Sequence, residues 1–177
     1  MDERDAALDA AHQAARDFLA TLPDRPVWPR ASVEEMTTAL GGPLPQTGRP
    51  APDVIRDLAA RADPGLVAIP GGRFFGFVIG GTLPAALAAD WLVSAWDQNS
   101  GSSAMTTATV ALERIAGEWL LEILDLPRGA SVGFVTGAQV SNFVCLSVAR
   151  HARLRRRGWD FTLKGLTGAP PVRLVVG

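Results

Sequence analysis

Proline sets the outer limit on what the first 70 residues can build. Pro23, Pro26 and Pro29, and then four prolines between residues 43 and 52, each fix φ and disfavour helix in the residue before. Only short helices fit between these breaks. Residues 2–22 form the first, with Ala7, Leu8, Ala11, Ala15, Phe18 and Leu19 recurring at three- and four-residue intervals. Ser32-Val33-Glu34-Glu35 is a capping box that opens a second helix to Leu40, ended by Gly41-Gly42-Pro43. A third is expected over Asp53 to Ala62, stopped at Asp63-Pro64. Helices on proline joints bury little by themselves. The segment reads as a wrap for another surface, within the chain or on a partner subunit.

From Phe74 the texture changes. An apolar, glycine-rich stretch to Gly81 leads into Thr82-Leu83-Pro84, a helix start with proline in the first turn. That helix runs to about Trp96 and is apolar nearly all round, which predicts burial. After a polar loop over 97–107, Leu112, Ile115, Ala116, Trp119, Leu120, Ile123 and Leu124 trace one face of an amphipathic helix. Val132 to Thr136 then reads as a short strand and Gly137-Ala138 as a turn. A helix follows from Gln139, stopped at Gly158. Pro171 to Val176 is a continuous apolar run of parallel-strand type. Strand, helix and strand make one βαβ unit with an open edge, so the expected fold class is α/β.

Composition narrows the function classes. A length of 177 residues suits one domain, or one domain with an arm. Lys+Arg 17 against Asp+Glu 18 leaves a net charge of −1, with no global field to recruit nucleic acid or a membrane surface. The arginines at 150, 153 and 155–157 suit the negative end of a helix dipole, and a solvated last turn is preferred to a nucleic-acid patch. One cysteine, Cys145, rules out an internal disulfide framework, and two histidines make a metal centre unexpected. The start of the chain lacks the blocks of a signal peptide. The uncharged window Val132 to Ala149 is too polar for hydrocarbon, so a cytoplasmic location is expected.

Strand, small-residue turn and helix start together present backbone N–H groups to an anion. Thr136-Gly137-Ala138-Gln139-Val140-Ser141-Asn142 occupies that point. It is neither a Walker A loop nor GxGxxG, and an ordinary tight βα turn stays open as its reading. No catalytic constellation stands out. His12 and His151 read as packing or surface residues, and Ser141 and Ser147 have no histidine at a motif-like spacing. Lys164 reads as a surface lysine, and Cys145 as a buried, inert thiol.

Several blocks resemble a known family. They are Arg73-Phe74-Phe75-Gly76-Phe77-Val78-Ile79-Gly80-Gly81-Thr82-Leu83-Pro84-Ala85-Ala86, then Ala89-Asp90-Trp91-Leu92, Trp96-Asp97-Gln98-Asn99 and Phe134-Val135-Thr136-Gly137-Ala138. In this order they resemble the group II pyridoxal-phosphate-dependent decarboxylases, which include the glutamate and aromatic-amino-acid decarboxylases. The resemblance runs along essentially the whole chain. It implies an aminotransferase-like type I fold and a homodimer with sites at the subunit interface. Residues 1–70 would be the arm that clasps the partner, and 71–177 the start of the coenzyme-binding large domain. Gly137, Ala138 and Gln139 match the family's phosphate-binding turn. The Ile79-Gly80-Gly81 loop, and the loop from Asn99 through Gly101 to Ser103 supplied by the partner subunit, match its substrate pocket. The implied reaction is decarboxylation of an amino acid, with the pyridoxal 5′-phosphate ring as electron sink.

The departures are specific. Gly71-Gly72 stands where the family often has His-Pro, Gln139 where it has a small hydroxyl residue, and Gly101, Ser102, Ser103, Thr106 and Thr107 where it has aromatic and Ser-Pro residues. The family's coenzyme-stacking histidine, pyridine-nitrogen aspartate and Schiff-base lysine have no counterpart here, and Lys164 is not assigned that role. The expectation is therefore the N-terminal portion of such an enzyme, inactive alone and with no catalytic residue of its own. A non-catalytic interaction module derived from the same fold is the alternative, and a small nucleotide-phosphate binder is a third.

Overall fold

The computed structural model describes residues 2–175. The chain divides into two units, one through Trp96 and one from Asp97 onward. In the first, α1 (Glu3–Thr21) packs along α3 (Ala51–Ala62), and α2 (Val33–Leu40) packs on α3 as well. The capping box forms in full: Glu35 N–H donates to Ser32 Oγ at 3.2 Å, and Ser32 N–H donates to Glu35 Oε2 at 2.8 Å. Helix α3 starts two residues before the expected Asp53, with Pro52 in its first turn where no N–H is needed. The Glu3 carboxylate accepts the Ala51 N–H at 2.8 Å, placing negative charge at the positive end of α3.

The connections of this unit are tied together by Asp63, in a 3-10 turn over Asp63–Gly65. Its carboxylate accepts from Arg25 Nη1 at 2.6 Å and from Arg30 Nη2 at 2.7 Å. Arg25 is 8% exposed, lies 4.8 Å over the Phe18 ring, and its carbonyl accepts from Arg73 Nη2 at 2.6 Å. Around this hub the Val27 carbonyl takes the Ala68 N–H, and the Pro64 carbonyl takes those of Arg30 and Ala31. Ala68 and Phe74 are buried beside it, with Phe74 edge-on to Trp28 at 5.9 Å. Helix α4 (Pro84–Trp96) closes the unit, and His12 meets Trp91 edge-on at 5.7 Å. The burial expected of α4 is not found: none of its residues is buried. Its all-round apolarity asks for more covering surface than this unit supplies.

The second unit holds α5 (Thr107–Ile123), α6 (Ala138–Arg156) and α7 (Phe161–Lys164). Leu154 of α6 is its most buried side chain, at 1% exposure, and Leu121 of α5 is also buried. Gly117 sits where α5 meets Val132, whose Cβ lies 3.4 Å from the place a Gly117 Cβ would take. The amphipathic helix forms as expected, yet its apolar stripe faces outward, with Trp119 at 65% exposure. Cys145, expected buried, is exposed.

The α/β class is overturned. Among the described residues every regular element is helical and there is no strand. Residues 132–136 and 171–175 are irregular; Val176, the end of the second expected strand, lies outside the described residues. The reason is physical. A helix satisfies its backbone locally, whereas a parallel strand needs a neighbour on the ladder, and no described segment pairs with either run.

Surface area shows how much remains uncovered. The chain exposes 14338 Å² for 18.7 kDa. A compact monomer of that mass exposes about 8,300 Å², and two independent units of half the mass about 10,000 Å² together. The excess, about 4,000 Å² over even the divided case, includes Phe75, Val78, Trp119, Phe143 and Val175. No helix among the described residues is long and apolar enough to cross a membrane.

Candidate functional site

The anion-binding turn expected from the sequence lies at the start of α6. Gly137 is the N-cap, with φ 164° and ψ 171°, extended backbone that any residue adopts. No side chain caps the helix, and the first intrahelical bond runs from Ser141 N–H to the Gly137 carbonyl at 3.0 Å. The N–H groups of Ala138, Gln139 and Val140 therefore have no partner among the described residues, and the helix dipole adds partial positive charge there. Residues 131–140 are all exposed, and a Cβ added at Gly137 would meet nothing within 4 Å. The position is open and uncapped, and along the chain no Asp or Glu occurs between Asp125 and Asp160. It fits a phosphate held by backbone amides, with the Gln139 side chain within the same turn and no cation among residues 136–142.

Of the expected pocket residues, Asn99 and Gly101 share one loop. Asn99 Oδ1 accepts the Gly101 N–H at 2.9 Å, and its carbonyl accepts from the buried Thr106 hydroxyl at 2.7 Å. Gly101 lines a cavity of about 520 Å³ whose other wall is the Glu113–Gly117–Leu121 face of α5 with Arg114 and Arg128. Residues 137–139 do not line it. The four charged groups there, Glu113, Arg114, Glu118 and Arg128, were not singled out from the sequence. The spacing of four between Glu113, Gly117 and Leu121 was the available signal, since it puts a carboxylate above a glycine gap on one helix face.

Ile79 and Gly80 belong to the first unit, on a turn closed by Ile79 N–H to the Gly76 carbonyl at 3.2 Å. The two residues before Ile79 are strained: Phe77 has φ 55° and Val78 φ 58°, a left-handed pair that is rare without glycine. The remaining candidates are spread out. His151 packs edge-on to Phe161, and Lys164 Nζ lies 5.1 Å from the Trp159 ring. Among the described residues no group of three or more His, Cys, Asp or Glu could hold a metal ion.

No family model matches the chain, and no solved structure matches it. A curated protein does. Tryptophan decarboxylase 1 of Oryza sativa subsp. japonica is 26% identical over 155 residues, 81% of this chain and 30% of the relative. The chain thus spans less than a third of that relative's length, and the likeness is a distant one to an amino-acid decarboxylase.

Proposed function

We propose that this chain is part of a pyridoxal-phosphate-dependent amino-acid decarboxylase. In that reading it contributes the coenzyme-phosphate turn and part of the substrate pocket, and residues 1–70 are the arm of a homodimer. The observation that carries the reading is the likeness to a decarboxylase over 81% of the chain. The open, uncapped start of α6 supports it. Bound coenzyme would supply the electron sink that accepts the electron pair left when CO₂ departs. The chain's own share is binding and orientation. Amides of Ala138 and Gln139 donate to the phosphate, the dipole of α6 favours its charge, and Gln139 adds a side-chain donor. In the same reading Asn99 and Gly101, in a loop pinned by Thr106, serve the substrate pocket of the partner subunit, and Ile79 and Gly80, after the strained turn, serve that of their own.

Pyridoxine 5′-phosphate tests the turn, because it lacks the aldehyde and forms no imine with Lys164. Gly137→Val keeps an extended backbone, and its Cβ meets nothing within 4 Å, so the fold should tolerate it. Its bulk at the mouth of the turn should weaken pyridoxine 5′-phosphate binding about tenfold or more in equilibrium dialysis. Equal binding by both proteins would remove the phosphate site.

One observation favours a second reading, a non-catalytic interaction module: the uncovered apolar surface described above. A cooperative melt of the monodisperse chain, with no affinity for pyridoxine 5′-phosphate, is its signature.

A further inference from the structure

The second unit carries a groove that the decarboxylase reading does not use. It lies between α6 and residues 171–174, with a volume of about 940 Å³, at the upper end of the roughly 300–1,000 Å³ range of ligand pockets. Arg150, Arg153, Arg157 and Arg173 line it, and among the described residues no carboxylate does. None of the four has an ion-pair partner among the described residues. Arg150 Nε is buried with no hydrogen-bond partner, its guanidinium held 4.5 Å over the Phe161 ring. Arg157 Nη1 donates to the Pro171 carbonyl at 2.7 Å, which fixes one wall against the other. Four guanidiniums gathered without a counter-charge repel one another, and an unmade buried donor is costly. The missing counter-charge is what carboxylates supply.

The groove also specifies more than charge. Phe143, Val172 and Leu174 expose apolar surface along it. The N–H groups of Val172, Arg173 and Leu174 lie outside any helix and have no partner among the described residues. An extended guest can pair with that backbone while alternate side chains meet arginines and apolar residues. Nucleic acid fits less well: among the described residues Phe143 is the one aromatic ring lining the groove, and stacking needs a series of them. We propose that this groove binds an extended acidic segment of a partner protein, with carboxylates alternating with apolar side chains.

Fluorescence anisotropy with a labelled alternating Glu-Val peptide tests this on the whole chain. The Glu-Val peptide should bind, weaken as salt rises, and exceed its Gln-Val counterpart about tenfold or more. Arg153 and Arg173 are exposed and unpaired, so R153Q with R173Q should fold and lose about tenfold in affinity. R155Q with R156Q removes the same charge outside the groove and should stay within about twofold of the unaltered chain. Equal losses in both double variants would reduce the effect to diffuse charge and overturn the groove. Tighter binding of a single-stranded oligonucleotide would replace the peptide by nucleic acid. Sedimentation showing self-association abolished by R153Q with R173Q would make the occupant a second copy, and also overturn the proposal.

Discussion

Removing the Asp63 carboxylate should cost the first unit about 2 kcal/mol, a figure that follows from how unequally its two arginines are buried. Taking away one partner of a fully buried ion pair costs about 3–5 kcal/mol, because the other charge stays buried and unpaired. An exposed pair contributes about 0–1 kcal/mol. The Arg25 side chain is 6% exposed, but Asp63 is 38% exposed and so partly screened by water. One hydrogen bond also survives the substitution, from Arg25 Nη2 to the Asp63 backbone carbonyl. Both facts pull the expected loss for Asp63→Ala below the buried-pair range. Arg30, exposed at the other carboxylate oxygen, should give less than about 0.5 kcal/mol in Arg30→Ala. Urea unfolding followed by fluorescence of Trp28 and Trp91 measures both; with a slope of about 1–3 kcal/mol per molar, Asp63→Ala should lower the midpoint by about 1 M. A shift no larger than that of Arg30→Ala would refute the argument that the buried guanidinium sets the cost.

Relieving the left-handed pair before Ile79 should stabilise the chain. Val78 packs on nothing, and Val78→Gly removes about 1–2 kcal/mol of strain while adding about 0.5–1 kcal/mol of unfolded-state entropy. A net gain of about 0.5–1 kcal/mol in urea unfolding is expected, and a loss would show that the conformation is not strained. At α2, the Glu35 carboxyl is held below its ordinary value of 4.5, first by the Ser32 backbone N–H and then by the Ser32 hydroxyl. Because the folded value is depressed, the capping box stabilises α2 above pH 4.5 and loses that effect as pH falls through the folded value. Ser32→Ala removes the second cause and not the first, so NMR titration of Glu35 should show its value moving only part of the way back toward 4.5; no movement would mean that the hydroxyl does not act on it.

What was legible in the sequence was the local part of the fold. The capping box at Ser32 and Glu35, the period of α1 and the stop of α6 at Gly158, where φ is 73°, all act within a few residues. The α6 turn could be placed to within a residue for the same reason. Burial was not legible, because it depends on what covers a face. Helix α4 and the Trp119 stripe are apolar, and their covering surface does not lie within their own units. The strand runs at 132–136 and 171–175 failed on the same ground, since a pattern of Val and Leu does not carry its ladder partner with it. Arg25 and Asp63 stand 38 residues apart, so nothing local marked them as a pair. The charged wall beside Gly101 combines α5 with a loop in the same way.

The most direct test of the phosphate turn is residue-resolved. In a ¹⁵N-labelled sample, pyridoxine 5′-phosphate should shift the amide resonances of Ala138, Gln139 and Val140 in a saturable manner, while pyridoxine, without the phosphate, leaves them in place. If those three amides stay unmoved by the phosphate ester, or answer both compounds alike, the start of α6 does not hold a coenzyme phosphate and the decarboxylase reading loses its site.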